Sequence, residues 1–395
     1  MQIVNFSDID PQEWDFVVEA SPSAWFYHLW AWMALERKYW FPECRAFMVC
    51  SDSGEALAIL PLYVSELGLS HGVDRLLHSG IHRHTGLAAA PALSRKAEKR
   101  LQQVVMKEVF RIAEEIKANR IQLNAQNLAP ANLPPLRQEI PFFVEDFHFH
   151  FGLKWRAGGI DPAPGEMSTN SDQIISLEQS EAQLLDNIEN AAQRAIRKGI
   201  KEGVEVVEAG NDVSIEQLIE LRRIAAERTQ QVLMPEQYYA DIAASLANGQ
   251  QSILLAKLDG KIIGGIELIV NKSASSYFGG FGLNEYLNLR FYDVLQWYAI
   301  LWSKNCGLKH YRLGPHFPDM QIESEIYKKG RFKKKFGGKP FHILQGSYFL
   351  TPELYTAPSD SSALPSSSAA ASNESASASI AKPFYKRLIS WVRRL

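Results

Sequence analysis

Hydrophobic and polar residues alternate in short runs that predict paired β-strands in two separate parts of the chain. Residues 46–64 and residues 251–270 each contain two strand-like runs, separated by short turn-forming segments at residues 52–54 and 259–260. Strand-like runs joined by two or three residues that include Gly are typical of β-hairpins. The sequence therefore predicts one hairpin in each half of the chain.

The segments around each hairpin follow the same order in both halves. A helix is predicted before the hairpin, and a longer helix and a short strand are predicted after it. The predicted segments are residues 30–39, 46–64, 97–117 and 120–125 in the first half and residues 215–228, 251–270, 289–306 and 310–314 in the second. This repeat predicts an α/β chain of two similar domains in tandem, residues 1–165 and 166–350, which meet near the structure-breaking segment 162–169.

The C-terminal residues have a different pattern and predict two further segments. Of the 25 residues from 357 to 381, 18 are Ser or Ala, so residues 351–381 are predicted to be a flexible linker. Residues 382–395 place Phe, Leu, Trp and Val on one stripe of a helix, with five Lys or Arg beside it. Such a basic amphipathic helix is typical of a membrane interface. We expect it to bind an anionic membrane surface, and docking on this chain or on a partner protein is the alternative.

Composition restricts the class of protein. The 395 residues are 46% apolar and carry a formal net charge of −2, which favours a globular fold and leaves any binding of nucleic acid or anionic lipid to local basic clusters. The three cysteines are too few and too irregularly spaced for a disulfide framework, which suits a reducing compartment. The N-terminus lacks the pattern of a signal peptide, and no apolar run approaches about 18 residues. We therefore predict a cytoplasmic protein.

Four sequence segments stand in an order that matches a known family. They are SPSAWFYHLWAWMAL (residues 21–35), ENAAQRAIRKGIKEGVEV (189–206), YRLGP (311–315) and GRFKKKFGG (330–338). Together they resemble the FemABX group of aminoacyl transferases and its acyltransferase relatives in envelope polysaccharide systems, which belong to the GNAT superfamily. The resemblance covers most of residues 20–345. It implies two tandem GNAT-like domains and an enzyme that transfers an acyl or aminoacyl group.

One segment departs from the common GNAT pattern and bears on the donor. GNAT enzymes that use coenzyme A usually have a Gly-rich loop before the long helix, where backbone N–H groups bind the pyrophosphate. Residues 284–295 read NEYLNLRFYDVL and contain no Gly, and larger side chains limit how closely a phosphate can approach the backbone. We expect no tightly bound cofactor and favour aminoacyl-tRNA or another carrier as donor, without excluding acyl-CoA.

Residues 328–335 contain six cations and the strongest candidate for the transfer site. Phe332 and Phe336 are one helical turn apart, so that if both face the core, Lys333 can lie at the edge of a cleft. The resemblance implies that Lys333 and Phe332 act in catalysis and that Phe336 helps to bind substrate. Lys333 would neutralise a phosphate or a developing oxyanion. A solvated basic surface is the alternative, and we expect Lys334 and Lys335 to be general electrostatic contacts.

Other candidates belong to substrate binding and proton transfer. Arg194, Arg197 and Lys201 lie on one face of a predicted helix and could bind the phosphates of a nucleotide-linked acceptor, a lipid-pyrophosphate sugar or tRNA, unless this face is simply solvated. Glu267 lies on the strand where many GNAT enzymes carry a general base, and an exposed position at a strand edge is the alternative. Two aromatic side chains could shape the acceptor cleft, with core packing as the alternative: Tyr277 and Trp297.

Histidines are clustered in two places, but they do not predict a metal site. No Cys, Asp or Glu stands at ligand spacing from them, and the alternation of His with Phe at residues 147–151 is explained by a strand with Phe inward. The histidines are His71, His78, His82, His84, His148 and His150.

The functional prediction is an acyl- or aminoacyltransferase that modifies a cell-envelope precursor at the cytoplasmic face of the membrane. The precursor would be a peptidoglycan-type peptide or a polysaccharide sugar, and the tail would hold the enzyme peripherally on the inner membrane surface. One alternative is an acyl-CoA-dependent acetyltransferase in exopolysaccharide biosynthesis. The other is a non-catalytic pair of GNAT domains that serves as the scaffold of a membrane synthase. The oligomeric state stays open.

Overall fold

The computed structural model describes residues 1–69, 72–80, 85–91, 93–133, 147–151, 171–210, 213–229, 233–246, 249–316 and 325–355. Within these ranges the helices are α1 Pro11–Ala20, α2 Trp30–Tyr39, α3 Arg95–Glu115, α4 Glu181–Asp186, α5 Asn190–Lys201, α6 Ile215–Thr229, α7 Glu236–Ser245, α8 Phe291–Asn305 and α9 Glu325–Lys334.

The strands of the first half are β1 Gln2–Asn5, β2 Phe47–Cys50, β3 Ala56–Leu60, β4 Tyr63–Leu69, β5 Gly72–His78, β6 Ala88–Ala89, β7 Arg120–Asn124 and β8 His148–Phe151. The remaining strands are β9 Ser171–Ser176, β10 Glu205–Glu208, β11 Gln251–Leu258, β12 Lys261–Asn271, β13 Ala274–Gly282, β14 His310–His316, β15 Lys339–His342 and β16 Leu344–Phe349.

Local sequence signals explain several of these boundaries. The Ser214 hydroxyl accepts a hydrogen bond from the backbone N–H of Gln217, and the Gln217 side chain accepts one from the N–H of Ser214, which is the capping box predicted at the start of α6. The turn between β11 and β12 requires positive φ at both Asp259 and Gly260, 48° and 78°. Such a two-residue turn matches the twist of the two strands that it joins.

The strands form three sheets, in the orders β1-β2-β3-β6, β4-β5-β7-β16-β8 and β10-β11-β12-β13-β14-β9-β15. Each half contains the same unit: an antiparallel hairpin, a long helix and a strand that returns parallel to the hairpin. The unit is β4-β5-α3-β7 in the first half and β12-β13-α8-β14 in the second. The predicted repeat of two α/β domains is therefore present in the fold.

The domain ranges need one correction, because the end of the chain returns to the first half. Strand β16 pairs antiparallel with β7 and with β8, so residues 344–349 belong to a sheet of the first half although the predicted second domain extended to residue 350. The predicted strand over residues 55–64 is also divided at Pro61, and β3 and β4 join different sheets. Proline interrupts the ladder because it lacks a backbone N–H.

The two halves share a hydrophobic core. Trp25 and Trp32 of the first half are in one buried cluster with Ile269 and Ala274 of the second half. The Trp25 indole N–H donates to the Asn271 carbonyl at 2.9 Å, and the Trp32 ring meets the Phe278 ring edge-on, with centroids 5.8 Å apart. The aromatic segment 21–35 therefore fixes the junction of the halves.

Several predicted features lie outside the described residues. These are the proposed boundary near residues 162–169, residues 356–381 of the linker and the whole amphipathic segment 382–395. Residues 352–355 form a short 3-10 turn at the end of the described chain. Among the described helices, none combines the length and the hydropathy that a membrane span requires.

Candidate functional site

The parallel strands β13 and β14 separate after a short paired stretch and thereby open a cleft. They pair only over Ala274–Ser276 and His310–Arg312. Beyond this point β13 continues to Gly282 with β12 as partner, and β14 continues to His316 with β9 as partner. In this region β13 and β14 no longer pair with each other, and the edges that face each other border the opening.

Lys333 lies at one side of this opening, against the end of β14. Its Nζ donates to the Pro315 carbonyl at 3.4 Å. Gly314 has φ of +104°, and a Cβ atom at that position would be only 2.9 Å from the Lys333 Nζ. The positive φ favours glycine at this position, and any side chain there would also displace the end of the Lys333 side chain.

A buried ion pair lies beside Lys333. The Arg312 Nη2 is 2.5 Å from the Asp172 Oδ1, and the Arg312 Nη1 donates to the Ser276 hydroxyl at 3.2 Å. Burial in the first place, and the positive charge of Arg312 in addition, lower the pKa of the Lys333 ammonium to about 7, although the Asp172 carboxylate opposes this shift. Lys333 therefore exists in both protonation states near neutral pH.

The aromatic residues on either side of Lys333 anchor its helix. Phe336 is buried, Phe332 is partly buried, and their rings are 5.3 Å apart in an edge-on arrangement. Lys335 is also fixed, because its Nζ is 2.5 Å from the buried Asp293 carboxylate of α8 and 4.2 Å from the centre of the Phe332 ring. The expectation that Lys335 is a general electrostatic contact is corrected, whereas Lys334 is exposed.

Glu267 is neither a free carboxylate in the cleft nor an exposed one at a strand edge. It is buried, its Oε2 pairs with the Arg222 Nη2 at 3.0 Å, and its Oε1 accepts a hydrogen bond from the Gln251 side chain. The Arg222 guanidinium lies over the rings of Tyr239 and Phe281, 4.8 Å from each centre. Both carboxylate oxygens are therefore engaged, and the expectation of a general base at this position is corrected.

The predicted phosphate-binding residues of α5 are exposed. Arg194, Arg197 and Lys201 lie on the outer face, and the opposite face, which includes Ile196 and Gly199, packs on α8. The backbone N–H of Glu189, at the start of α5, donates to the Lys335 carbonyl at 2.9 Å. The basic helix therefore begins next to the end of α9, although the described contacts do not bring its three cations to Lys333.

The two aromatic candidates pack against the core of the second half. Tyr277 is partly buried on β13, and burial raises the pKa of its hydroxyl. Its hydroxyl lies 2.7 Å from the position that a Cβ of Gly280 would occupy, so the Tyr277 side chain lies along β13 next to Gly280. Trp297 is partly buried on α8, and its described packing is with the core.

The start of α8 is poorly suited to a pyrophosphate. A 3-10 turn, Asn284–Leu289, leads into Arg290, which has φ of +61°. The Lys198 Nζ already binds the Asn288 carbonyl at 3.0 Å, and the Asp293 carboxylate is buried in the first turn of α8. The Asp293 carboxylate already compensates the positive end of the helix dipole and is itself paired with the Lys335 ammonium, so groups of the protein occupy the position of a diphosphate. The residues present therefore do not fit the usual coenzyme A pyrophosphate site.

The equivalent opening in the first half is closed. Strands β5 and β7 pair over Leu76–His78 and Arg120–Gln122, the same register as β13 and β14, which places Asn124 where the second half has Gly314. The Asn124 side chain donates to the carbonyls of Ser79 and Gly80, at 3.1 Å each. The Asn124 side chain therefore bridges β7 and the end of β5 at the position that corresponds to Gly314 in the second half.

Sequence reasoning identified Lys333 but missed the charged residues Asp172 and Arg312 beside it and Asn127, whose amide binds Asp172. Arg312 and Gly314 stand in the YRLGP segment that carries the resemblance, and this segment was the sequence signal that could have identified them.

Among the histidines, His78 is bonded to the Ser65 hydroxyl at 2.7 Å. His71, His82 and His84 and the side chains of His148 and His150 lie outside the described part. The described residues contain no group of three His, Cys, Asp or Glu arranged to hold a metal ion.

The chain is similar to known proteins in the sequence of one domain and in its fold. Residues 187–329 match the family model of a GNAT acetyltransferase domain, and no curated protein sequence matches the chain. The crystal structure of FemX is 18% identical, with 90% of this chain and 99% of that chain covered and a TM-score of 0.62. L-PGS from Bacillus licheniformis is 13% identical, with 88% and 93% covered and a TM-score of 0.50. A conserved protein of unknown function from Bacteroides thetaiotaomicron is 11% identical, with 88% and 100% covered and a TM-score of 0.50.

At these sequence identities the structural likeness shows the fold and not the substrate. The GNAT acetyltransferase domain in residues 187–329 agrees with the prediction of an acyl- or aminoacyl-transferring enzyme, and its range includes β14 and the cleft strand β13. The predicted FemABX-like architecture is confirmed: the chain has a tandem GNAT fold similar to that of FemX, and its second half contains a GNAT acetyltransferase domain.

Proposed function

We propose that the cleft between β13 and β14 is the transfer site and that Lys333 and Arg312 stabilise the negative charge that forms there. The observation that carries the proposal is the position of Lys333, whose Nζ lies against Gly314 where the two strands separate. Cations that are already fixed in a partly buried site stabilise developing charge more effectively than mobile ones in water.

The reaction follows from this arrangement. The lone pair of an acceptor amine or hydroxyl attacks the carbonyl carbon of the donor, and a tetrahedral oxyanion forms. The bond between the acyl carbon and the carrier oxygen or sulfur then breaks, and the proton lost by the acceptor passes to this leaving atom. Lys333, as an ammonium, and Arg312 would face the oxyanion or a neighbouring phosphate. Glu267 takes no part in this scheme because Arg222 and Gln251 occupy both of its oxygens.

Aminoacyl-tRNA is the donor that we favour. The start of α8 carries a buried carboxylate instead of an open N–H cradle, whereas the exposed cations Arg194, Arg197 and Lys201 suit a phosphate backbone. Acyl-CoA is the second candidate, and the specific observation that favours it is the match of residues 187–329 to a GNAT acetyltransferase domain.

The proposed acceptor is a cell-envelope precursor, a peptidoglycan-type peptide or a polysaccharide sugar. This rests on the FemABX resemblance and the fold shared with FemX. Residues 382–395, with five cations and an apolar stripe, would attach the enzyme to the cytoplasmic membrane surface and thereby bring it to lipid-linked substrates. The scaffold alternative requires that the cleft has no activity, and it is removed if transfer is observed.

A pair of adjacent lysines tests the proposal. Labelled aminoacyl-tRNA is the donor and a peptidoglycan precursor peptide the acceptor, and acetyl-CoA is the donor in a parallel series. We expect Lys333→Ala to lower kcat at least about 100-fold, the usual cost of losing a preorganised oxyanion partner, with an unchanged melting temperature. Lys334→Ala is the control, because Lys334 is exposed, and it should stay within about threefold of the wild type. Equal, small effects of the two substitutions would contradict a catalytic Lys333.

A further inference from the structure

A residue of the first half reaches into the charged group beside Lys333. The Asn127 side-chain amide donates to the Asp172 Oδ2 at 3.0 Å, and the other carboxylate oxygen, Oδ1, pairs with Arg312 at 2.5 Å. Asn127 is 4% exposed and Asp172 is 2% exposed. The carboxylate is thus held on both sides, by an amide from one half and by a guanidinium from the other.

Asn127 is itself held firmly in place. It follows strand β7 by three residues, and the loop around it is closed by hydrogen bonds of its neighbours. The Leu128 N–H donates to the Gln126 side chain at 3.1 Å, and the Asn132 side chain donates to the Gln126 carbonyl at 2.8 Å. A side chain on a loop fixed in this way can define the position of the group to which it binds.

Asp172, Arg312 and Ser276 form a chain of polar contacts beside Lys333. Asp172, on β9, neutralises Arg312, on β14, and Arg312 is also fixed by the Ser276 hydroxyl of the cleft strand. The charges that act on Lys333 are Arg312 and Lys329, which disfavour its ammonium form, and Asp172, which favours it. The direction of the Asp172 carboxylate therefore influences both the position of Arg312 and the charge of Lys333.

We propose that Asn127 is a positioning residue of the transfer site: it orients the Asp172 carboxylate, and the first half thereby controls the arrangement of Arg312 and Lys333 in the second half. This inference rests on the proposed function for its consequence in catalysis. It gives the first half, whose own opening is bridged by Asn124, a direct part in the site. Without the amide, the Oδ2 atom of the carboxylate loses its bond to Asn127 and the carboxylate turns away, so that Lys333 loses part of the charge that favours its ammonium form.

The test is the titration of Lys333 in the full chain, followed by NMR of lysine labelled with ¹³C at Cε and assigned with Lys333→Arg. For Asn127→Leu we expect the midpoint to fall by about 0.5 pH units or more from its wild-type position, because the opposing carboxylate is released. Asn124→Leu is the matched control, since it removes a buried asparagine of the first half whose side-chain amide donates to the carbonyls of Ser79 and Gly80 and not to the Asp172 carboxylate, and its midpoint should stay unchanged. If Asn127→Leu does not fold, Asn127→Ala repeats the measurement with a smaller side chain.

An unchanged midpoint in a folded Asn127 variant overturns the inference. A kinetic measurement adds a second criterion: Asn127→Leu should lower kcat about tenfold with little change in the KM of the donor, whereas Asn124→Leu should leave both unchanged. The two proposals fail separately. A wild type without transfer activity contradicts the proposed function but not a shifted Lys333 titration, and an active enzyme with an unshifted titration contradicts only the role of Asn127.

Discussion

Lys333 differs from the other lysines of residues 328–335 in its surroundings and not in its chemistry. Its Nζ is in contact with the backbone of β14 and lies near Arg312, whereas Lys335 is paired with Asp293 and Lys334 is exposed. Burial of a cation beside another cation favours the neutral form. A lysine with a pKa near neutrality is common in functional sites and uncommon on solvated surfaces.

This environment predicts the pH dependence of transfer. The pKa of Lys333 is lowered from 10.5 to about 7, so the ammonium predominates below pH 7 and is lost as the pH rises through that value. If the ammonium is the active form, kcat/KM should decrease with a midpoint near pH 7, and Lys333→Arg should remove this decrease because Arg keeps its charge. The measurement is a pH–rate profile from pH 5.5 to 8.5. An increase of kcat/KM through pH 7 would show that the neutral amine acts as a base instead.

At the scale of secondary-structure elements, three helices close the region where a GNAT enzyme would hold coenzyme A. Gly199 of α5 lies so close to α8 that a Cβ there would be 2.8 Å from the Leu289 carbonyl and 2.5 Å from a Val294 methyl carbon. Lys335, which directly follows α9, neutralises Asp293 in the first turn of α8. The start of α8 is thus filled by groups of the protein itself.

This packing predicts weak binding of coenzyme A. Calorimetry with coenzyme A and acetyl-CoA should give dissociation constants weaker than about 100 μM, toward the upper end of the range in which enzymes usually bind their substrates. Asp293→Asn removes the carboxylate that pairs with Lys335, which leaves the Lys335 ammonium available to a phosphate, and should therefore strengthen binding. Glu285→Gln, at an exposed site of the preceding turn, is the control. Saturable binding in the low micromolar range would place acyl-CoA ahead of aminoacyl-tRNA as donor.

At the scale of the whole molecule, the two halves form one structure. Strand β16 returns to the first half, the aromatic segment 21–35 packs against Ile269 and Ala274, and the Lys38 ammonium and the Asp241 carboxylate form an ion pair between the halves, with 2.5 Å between nitrogen and oxygen. Separating the halves would expose these apolar surfaces to water at a cost of about 25 cal/mol per Å².

We therefore expect the second half to be unstable by itself. A chain of residues 171–355 should lack a cooperative thermal transition in circular dichroism, because it exposes the surface that Trp25 and Trp32 cover and leaves β16 without β7. Deletion of residues 356–395 is the control, since the sequence predicts a linker and a separate helix there, and it should unfold at the same temperature as the full chain. A cooperative transition of the 171–355 fragment near that temperature would contradict the shared core.

Local sequence determined the elements and their order. The predicted helices 30–39 and 215–228 agree with α2 and α6 to within one residue, because hydrophobic periodicity and the Ser214–Gln217 capping box act over a few neighbouring residues. The inward packing of Phe332 and Phe336 also followed from their spacing. The repeated order of elements was sufficient to predict two similar α/β domains in tandem, and the resemblance of four segments to the FemABX group implied that these domains are GNAT-like.

The tertiary structure alone decided which charged and polar side chains lie next to each other. Arg222 and Glu267 are 45 residues apart, and so are Asn127 and Asp172, and no periodicity connects either pair. Whether Glu267 is a base or half of an ion pair, and whether Lys333 is a surface cation or a site residue, depends on burial and on charges brought together by chain folding. The return of β16 is likewise a long-range pairing. Local patterns specify elements, but pKa values and ion pairs depend on distances that only the packed chain defines.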